Sequence, residues 1–141
     1  MNKVRIAKEF KWEMSHRLPF HEGPCRNIHG HTYKLRVALQ GASDDTGMLL
    51  DYYEIEKIFR PMLDKLDHSF LCDRSDGEMI EFLKKQGLKY NVMDKYTTAE
   101  NISDWMIAEL ADKFRAFGNI SHLAIRLYET EDTYAEREIA L

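Results

Sequence analysis

The strongest constraint on the fold is an alternation of apolar and polar residues in two segments near the N-terminus. In the first segment the apolar residues stand at even positions: Val4, Ile6, Phe10, Trp12 and Met14. In the second segment they stand at odd positions: Tyr33, Leu35, Val37 and Leu39. A period of two with a polar opposite face is typical of a half-buried β-strand. We therefore predict two strands, joined by a loop over residues 18–28 that contains proline and glycine.

The middle of the chain changes to the spacing of amphipathic helices. Apolar residues three or four apart predict three helices: the first follows Asp51, the second covers residues 76–86 and the third follows Thr97. Asp51 and Thr97 each precede a glutamate by three residues, which is the spacing of an N-terminal capping box. Pro61 lies inside the first helical run and predicts a kink or a break there.

The last quarter of the chain returns to a period of two. Leu123, Ile125 and Leu127 share one face, and the same parity places Glu129 on it. A closing strand over residues 133–140 is predicted to pair with this one. The predicted fold class is α+β, a four-stranded antiparallel sheet in the order strand-strand-helices-strand-strand with helices on one face. The two outer edges of such a sheet favour neighbouring subunits that cover them.

Length and composition narrow the class of protein. The chain has 141 residues, which fits one domain over residues 1–141. Its formal net charge is -4, which argues against a dedicated nucleic-acid binder. Two cysteines are too few for a disulfide framework and suit a reducing compartment. No segment approaches the roughly 18 apolar residues of a membrane span. We expect a cytoplasmic protein that binds neither nucleic acid nor membrane.

Three of the six histidines stand at positions that place them on the apolar faces of the predicted strands. His16 continues the first strand, and His29 and His31 open the second. If the two strands are antiparallel neighbours, the three imidazoles can converge, because residues two apart on a strand point to the same side. Three neutral imidazoles suit zinc and leave a fourth position for water or substrate. The alternative is that they are ordinary polar residues around a loop.

Cys25 lies in the predicted loop, four residues before His29. It is a candidate fourth metal ligand, a candidate nucleophile or general base, or a small buried residue, and buried inert cysteine is the common case. Nearness to a cation would favour the thiolate and a catalytic role.

Three ionisable residues further along the chain allow two interpretations each. Asp67 and His68 follow the first helix, either as a couple in which the carboxylate orients the ring for proton transfer or as a histidine that stabilises the helix dipole. Glu129 is a carboxylate on an apolar face and needs a partner. That partner is water at a frayed strand end, or a ligand with adjacent N–H donors.

Motifs at these positions extend over nearly the whole chain. The segments are FKWEMSHRLP (10–19), CRNIHGHTY (25–33), GMLLDY (47–52), LDHSFL (66–71), TAEN (98–101) and YET (128–130). In this order they resemble the 6-pyruvoyltetrahydropterin synthase family, and within it the bacterial 6-carboxytetrahydropterin synthases of the queuosine and 7-deazapurine pathway. The Cys-x-x-x-His-x-His spacing is similar to that of the carboxy-forming branch.

The resemblance implies a tunnelling fold (T-fold), in which three subunits close their sheets into a barrel and two trimers stack as a homohexamer. It implies three groups of site residues: zinc ligands His16, His29 and His31; catalytic residues Cys25, Asp67 and His68; and pterin-binding residues Glu129 and Thr98. It also implies that some of these residues meet across a subunit interface.

The activity implied by the resemblance is that of a zinc-dependent lyase. Such an enzyme converts 7,8-dihydroneopterin triphosphate to 6-carboxy-5,6,7,8-tetrahydropterin and releases triphosphate and acetaldehyde. Two alternatives are a 6-pyruvoyltetrahydropterin synthase, which only eliminates triphosphate, and a zinc- and pterin-binding protein without turnover. The chain departs from the family in having Thr97 where proline is frequent, Cys72 where asparagine is common, and a longer stretch over residues 72–97.

Overall fold

Two long antiparallel strands form the centre of the fold. The structure is a computed structural model that describes residues 3–141. In chain order its elements are β1 (Lys3–His16), β2 (His29–Ala42), α1 (Tyr52–Leu66), β3 (Ser69–Asp73), α2 (Gly77–Gln86), β4 (Tyr90–Met93), α3 (Ala99–Arg115), β5 (Ile120–Thr130) and β6 (Thr133–Ala140). β1 pairs with β2 along its full length, β2 pairs with β5, and β5 pairs with β6, all antiparallel. These are the four strands that the alternation predicts.

The sheet contains two more strands than predicted. β3 and β4 run parallel to the end of β1, and the full strand order is β4-β3-β1-β2-β5-β6. The predicted α+β class is confirmed, but the count of four strands is wrong. All five residues of β3 are buried. A short strand that is covered on both faces has no alternation of polarity by which the sequence could reveal it.

The helices lie on both faces of the sheet. Helices α1 and α3 cover one face and bury the main core, whose largest fully buried side chains include Tyr33, Phe59, Phe114, Leu35 and Ile102. Helix α2 instead packs Met79 and Leu83 against Phe70 and Cys72 of β3, in a second small cluster. The intervening Leu71 belongs to the main core. The expectation that all helices lie on one face therefore holds for α1 and α3 and is wrong for α2.

Two local predictions in the helices need correction. Asp51 caps α1 as predicted, since its carboxylate accepts from the Tyr53 N–H, but the helix continues through Pro61 to Leu66. Pro61 is on the exposed side of α1, while buried residues before and after it hold both halves against the sheet. Helix α3 is capped by Thr98 rather than Thr97. Within residues 3–141 no helix is both long and apolar enough to cross a membrane.

Candidate active site

The three predicted histidines converge at one end of the central strands. His16 lies directly opposite His29 in the β1–β2 ladder, and His31 lies opposite Met14, two residues before His16. One ring nitrogen from each histidine falls within 4.8 Å of the others. The Nε2 atoms of His16 and His31 are 3.3 Å apart. Four-coordinate zinc with bonds of about 2.0–2.1 Å to nitrogen places its ligand atoms roughly 3.3–3.4 Å apart. The spacing therefore suits a metal ion.

Backbone carbonyls fix which nitrogen of two of these rings is free. His16 Nδ1 lies 2.9 Å from the Thr97 carbonyl oxygen, and His29 Nδ1 lies 2.7 Å from that of Asn27. Because a carbonyl can only accept, each Nδ1 carries the proton and each Nε2 carries a lone pair. Within residues 3–141, His29 Nε2 is buried without a hydrogen-bond partner. A buried lone pair with no donor is the arrangement that a cation satisfies.

Burial keeps the imidazoles of His16 and His31 in the neutral form that binds metals. Burial is the main cause that lowers the pKa of His16 to about 4, and the neighbouring His29 adds to it. Burial, and after it the neighbouring His29, also lowers the pKa of His31. A charged imidazole is disfavoured away from water and beside another one. Protons therefore do not compete with a metal for His16 and His31 near neutral pH.

Glu129 lies beside the histidine cluster, on the face of β5 that carries the apolar residues, as the sequence predicts. Its Oε2 atom lies 3.4 Å from His31 Nε2, and a quarter of its side chain is exposed. Burial is the main cause that raises its pKa, followed by the charge of Glu100, while the Ala99 N–H at the start of α3 acts in the opposite direction. Glu129, Ala99 and Glu100 line a cavity of about 230 Å³. The carboxylate is therefore half-buried and faces a space where a ligand can reach it.

Thr98 directly precedes Ala99 and Glu100, two of the residues that line this cavity. Its hydroxyl accepts from the Asn101 N–H at 3.2 Å and so caps α3. The following residue, Ala99, supplies the N–H that Glu129 accepts. The side chain of Thr98 is thus used to begin the helix whose first turn faces Glu129.

Cys25 lies in one turn of 3-10 helix, Pro24–Arg26, in the loop between β1 and β2. The Leu18 N–H donates to the Cys25 carbonyl oxygen at 2.8 Å, which closes the loop. Cys25 is a half-buried free thiol, and the group of ligand atoms within 4.8 Å of one another contains the three histidines without it. This disfavours the interpretation of Cys25 as a fourth ligand and leaves its other interpretations open.

The side chains of Asp67 and His68 are in contact, as the predicted couple requires. His68 Nδ1 lies 3.1 Å from Asp67 Oδ1, and the same oxygen accepts from the Glu13 N–H at 2.9 Å. The Glu13 N–H is the main cause that lowers the pKa of Asp67, and His68 contributes. His68 adopts a left-handed backbone with φ 55°, which is uncommon outside glycine. Its exposed ring and His31 line the same open groove, of about 580 Å³.

Comparison with known proteins decides which family combines these features. The profile of the family described as "6-pyruvoyl tetrahydropterin synthase" matches residues 5–139. The chain belongs to the 6-pyruvoyl tetrahydropterin synthase family. The resemblance found in the motifs is thereby confirmed, and so is the expectation of an enzyme, because the members of this family are synthases.

Relatives within the family carry the name of the carboxy-forming branch. The chain is 32% identical over 140 residues to the 6-carboxy-5,6,7,8-tetrahydropterin synthase of Haemophilus influenzae, covering 94% of this chain and 96% of that protein. It is 30% identical over 146 residues to a putative 6-carboxy-5,6,7,8-tetrahydropterin synthase of Pyrococcus horikoshii, covering 95% of this chain and 88% of that protein.

Solved structures share the fold of this family member at lower identity. A crystal structure of an uncharacterized protein from Wolinella succinogenes superimposes with a TM-score of 0.82 at 21% identity, covering 97% of this chain and 98% of that one. The 6-pyruvoyl tetrahydropterin synthase of Plasmodium falciparum superimposes with a TM-score of 0.76 at 15% identity, covering both chains fully. These matches confirm the T-fold.

Local sequence patterns do not reveal the groups that orient the histidines in this family member. The spacing predicts Thr97 as a helix cap, but Thr97 is fully buried against His16. The Asn27 carbonyl, which holds His29, has no signal in the sequence because a backbone oxygen is common to every residue. The alternation places Tyr33 on the apolar face of the second strand, and its ring lies 5.3 Å from that of His31. Its buried hydroxyl has no partner within residues 3–141.

Proposed function

We propose that this protein is a zinc-dependent lyase that converts 7,8-dihydroneopterin triphosphate to 6-carboxy-5,6,7,8-tetrahydropterin. The observation that carries the proposal is the convergence of His16, His29 and His31, with two Nε2 lone pairs fixed by carbonyls on the opposite nitrogens. The names of the Haemophilus influenzae and Pyrococcus horikoshii relatives supply the product, and the motif resemblance supplies the substrate. The histidines offer the donor set of a catalytic zinc site with an open position.

Zinc bound by His16, His29 and His31 would act as a Lewis acid that polarises the side-chain oxygens of the substrate and acidifies the adjacent C–H and O–H groups. The protein's part is to hold the rings in place and correctly turned. Thr97 and Asn27 do this for His16 and His29 through their carbonyl oxygens, at 2.9 Å and 2.7 Å from the respective Nδ1 atoms. Such partners raise the basicity of the ligand and keep its orientation.

Proton transfer is assigned to Cys25 and to the couple of Asp67 and His68. In this assignment the Cys25 thiolate removes a proton from the substrate side chain, and His68 supplies or relays another. Asp67 accepts from His68 Nδ1 at 3.1 Å and from the Glu13 N–H at 2.9 Å, so the carboxylate is held in place and can orient the ring. The open groove that His68 shares with His31 supports this role.

Recognition of the pterin ring is assigned to Glu129, with Thr98 beside it. A carboxylate pairs through two oxygens with the adjacent N–H donors of the 2-amino and N3 edge of the pterin. Glu129 is half-buried, so the pair would form with reduced competition from water. Thr98 contributes by beginning α3, whose first N–H holds the carboxylate.

The proposed reaction balances with one water. Elimination of triphosphate and rearrangement of the side chain reduce the dihydropterin ring to the tetrahydro level while the side chain is oxidised. Hydrolytic cleavage of the side chain then consumes one water, releases acetaldehyde and leaves the 6-carboxylate. We assign the enzyme to queuosine and 7-deazapurine biosynthesis, the pathway that the resemblance implies.

The assembly that we propose is a homohexamer made of two trimers. β1 pairs with β3 only at Met14 and Ser15, so within residues 3–141 most of its outer edge meets no other strand. β6 is the opposite edge of the sheet. Antiparallel pairing of β6 with β1 of a neighbouring subunit would satisfy both edges and close a barrel. The single domain over residues 1–141 and the cytoplasmic location stay predictions.

The proposal is tested by incubating the zinc-loaded protein with 7,8-dihydroneopterin triphosphate and identifying the products by mass spectrometry. We expect 6-carboxy-5,6,7,8-tetrahydropterin, triphosphate and acetaldehyde in equal amounts. Triphosphate with a retained three-carbon side chain would assign the 6-pyruvoyltetrahydropterin synthase reaction instead. Tight pterin binding without any product would assign a binding protein.

A further inference from the structure

Thr97 places two oxygen atoms against one ring nitrogen of His16. Its carbonyl oxygen lies 2.9 Å and its hydroxyl oxygen 3.1 Å from His16 Nδ1. Both residues are fully buried, whereas His29 and His31 are only partly buried. The Thr97 hydroxyl in turn lies 3.4 Å from the Arg17 carbonyl oxygen and can donate to it. His16 Nδ1–H therefore faces a hydroxyl whose own proton points elsewhere.

We propose that Thr97 is a positioning residue for His16, and that its hydroxyl raises the metal affinity of the three-histidine site. This rests on the proposed function in taking those histidines as the metal site. The hydroxyl is a second acceptor for the Nδ1 proton, so it stabilises the tautomer that leaves the Nε2 lone pair free. It also opposes rotation of the ring away from His31. Groups that hold a metal-binding histidine in this way typically contribute 10- to 100-fold to affinity.

The chain segment that carries Thr97 is anchored to the same end of β1. Arg17 follows His16 and donates to both carboxylate oxygens of Asp76, at 2.7 Å and 2.8 Å. The Asp76 side chain is 6% exposed, so this two-bond pair is largely shielded from water. Asp76 precedes α2, and Thr97 follows β4. The α2–β4 segment is therefore bound at both ends to the dipeptide His16–Arg17, which brings Thr97 to His16 from 81 positions away in the sequence.

The test compares two substitutions that differ in one group. Thr97→Val removes the hydroxyl and keeps the shape, while Thr97→Ser keeps the hydroxyl and removes the methyl group. Zinc affinity is measured by competition with a chromophoric chelator. We expect Thr97→Val to bind zinc about tenfold more weakly, because the carbonyl contact remains, and Thr97→Ser to stay within about twofold of the parent protein. Thermal unfolding shows that each variant is folded.

A second measurement on the metal-free protein separates this inference from the proposed function. Long-range ¹H–¹⁵N NMR spectra of the histidine side chains report which nitrogen carries the proton. We expect His16 in the parent protein to be the Nδ1–H tautomer, with a slowly exchanging proton that exchanges faster in Thr97→Val. This readout needs neither zinc nor turnover, so it stands even if the protein binds no zinc.

Three results would overturn the inference. The first is an unchanged zinc affinity in Thr97→Val. The second is an equal loss in Thr97→Val and Thr97→Ser, which would assign the effect to packing of the methyl group. The third is the Nε2–H tautomer of His16 in the metal-free parent, and this result decides the matter even if Thr97→Val does not fold.

Discussion

The Glu129 carboxylate lies 3.4 Å from Nε2 of His31, so the proposed pterin anchor touches a proposed metal ligand. The two residues come from different strands, His31 from β2 and Glu129 from the end of β5. A cation held by His31 would lie near a half-buried carboxylate with little intervening water. The charges at the two positions are therefore coupled, so metal binding, proton transfer and pterin binding have to be measured separately.

His29→Ala is expected to lose zinc. Three imidazoles are the smallest set that holds the ion and still leaves an open position, and His29 Nε2 is a buried lone pair without another partner within residues 3–141. Metal analysis after dialysis measures the zinc content per chain. His122→Ala is the matched control, since His122 lies at the other end of β5 from Glu129. Stoichiometric zinc in His29→Ala would contradict the assignment.

Cys25→Ala is expected to keep zinc and lose most turnover. A positioned general base contributes roughly 100- to 10,000-fold to the rate, and Cys25 lies outside the cluster of ligand atoms. Single-turnover assays and metal analysis on the same preparation measure both quantities.

Cys72→Ala is the control for the Cys25 substitution. Burial is the main cause that raises the pKa of Cys72 to about 12, so Cys72 stays a thiol at neutral pH. Its removal should leave turnover in place. Loss of zinc from Cys25→Ala, or full activity of that variant, would contradict the assignment of Cys25 as the base.

Glu129→Gln is expected to fold and to bind pterin more weakly by about 2–3 kcal/mol, because the amide keeps the shape but loses the charge and one acceptor. Titration calorimetry with 7,8-dihydroneopterin measures the affinity. Glu100→Gln neutralises the second carboxylate of the same cavity and is expected to have the smaller effect. An unchanged affinity in Glu129→Gln would show that another group is the anchor.

Asp76→Asn is expected to destabilise the fold in a pH-dependent way. The Arg17 guanidinium is the main cause that holds the pKa of Asp76 below its ordinary value. The pair therefore stabilises the protein above the unfolded pKa of about 4, and this contribution is lost as the pH falls through the lower folded pKa. We expect a loss of about 1–3 kcal/mol at pH 7 that shrinks in acid, measured by urea unfolding at about pH 7 and pH 3.

The control for Asp76 is Asp94→Asn. Asp94 pairs with Arg74 at 2.6 Å, but both side chains are mostly exposed, and such surface pairs contribute little to stability. Equal destabilisation by Asp76→Asn at both pH values would mean that the charge of the pair is not what stabilises the fold.

The assembly is expected to be hexameric in solution. Light scattering at micromolar concentration should give six times the 16.6 kDa chain mass. In the part of the chain that the structure describes, the outer edge of β6 and most of that of β1 meet no other strand. This is the physical reason for assembly, because their backbone groups would otherwise depend on water. A monodisperse monomer would count against the barrel and against a site shared between subunits.

The sequence by itself determined the features that depend on local periodicity. The alternation of side chains is a property of each strand alone, so it revealed β1, β2, β5 and β6 and placed His16, His29 and His31 on one face. The same parity placed the carboxylate of Glu129 on an apolar face. Motif resemblance favoured the couple of Asp67 and His68 over a histidine at a helix end, and their side chains lie 3.1 Å apart.

Only the tertiary structure decided the features that depend on contacts between distant segments. β3 is buried on both faces and carries no polarity pattern, so its strand state and the position of α2 on the opposite face follow from packing. Thr97 has the local sequence of a helix cap, yet it turns inward to His16 because the Nδ1–H of a buried imidazole requires an acceptor. That requirement arises 81 positions away and leaves no local pattern in the sequence around Thr97.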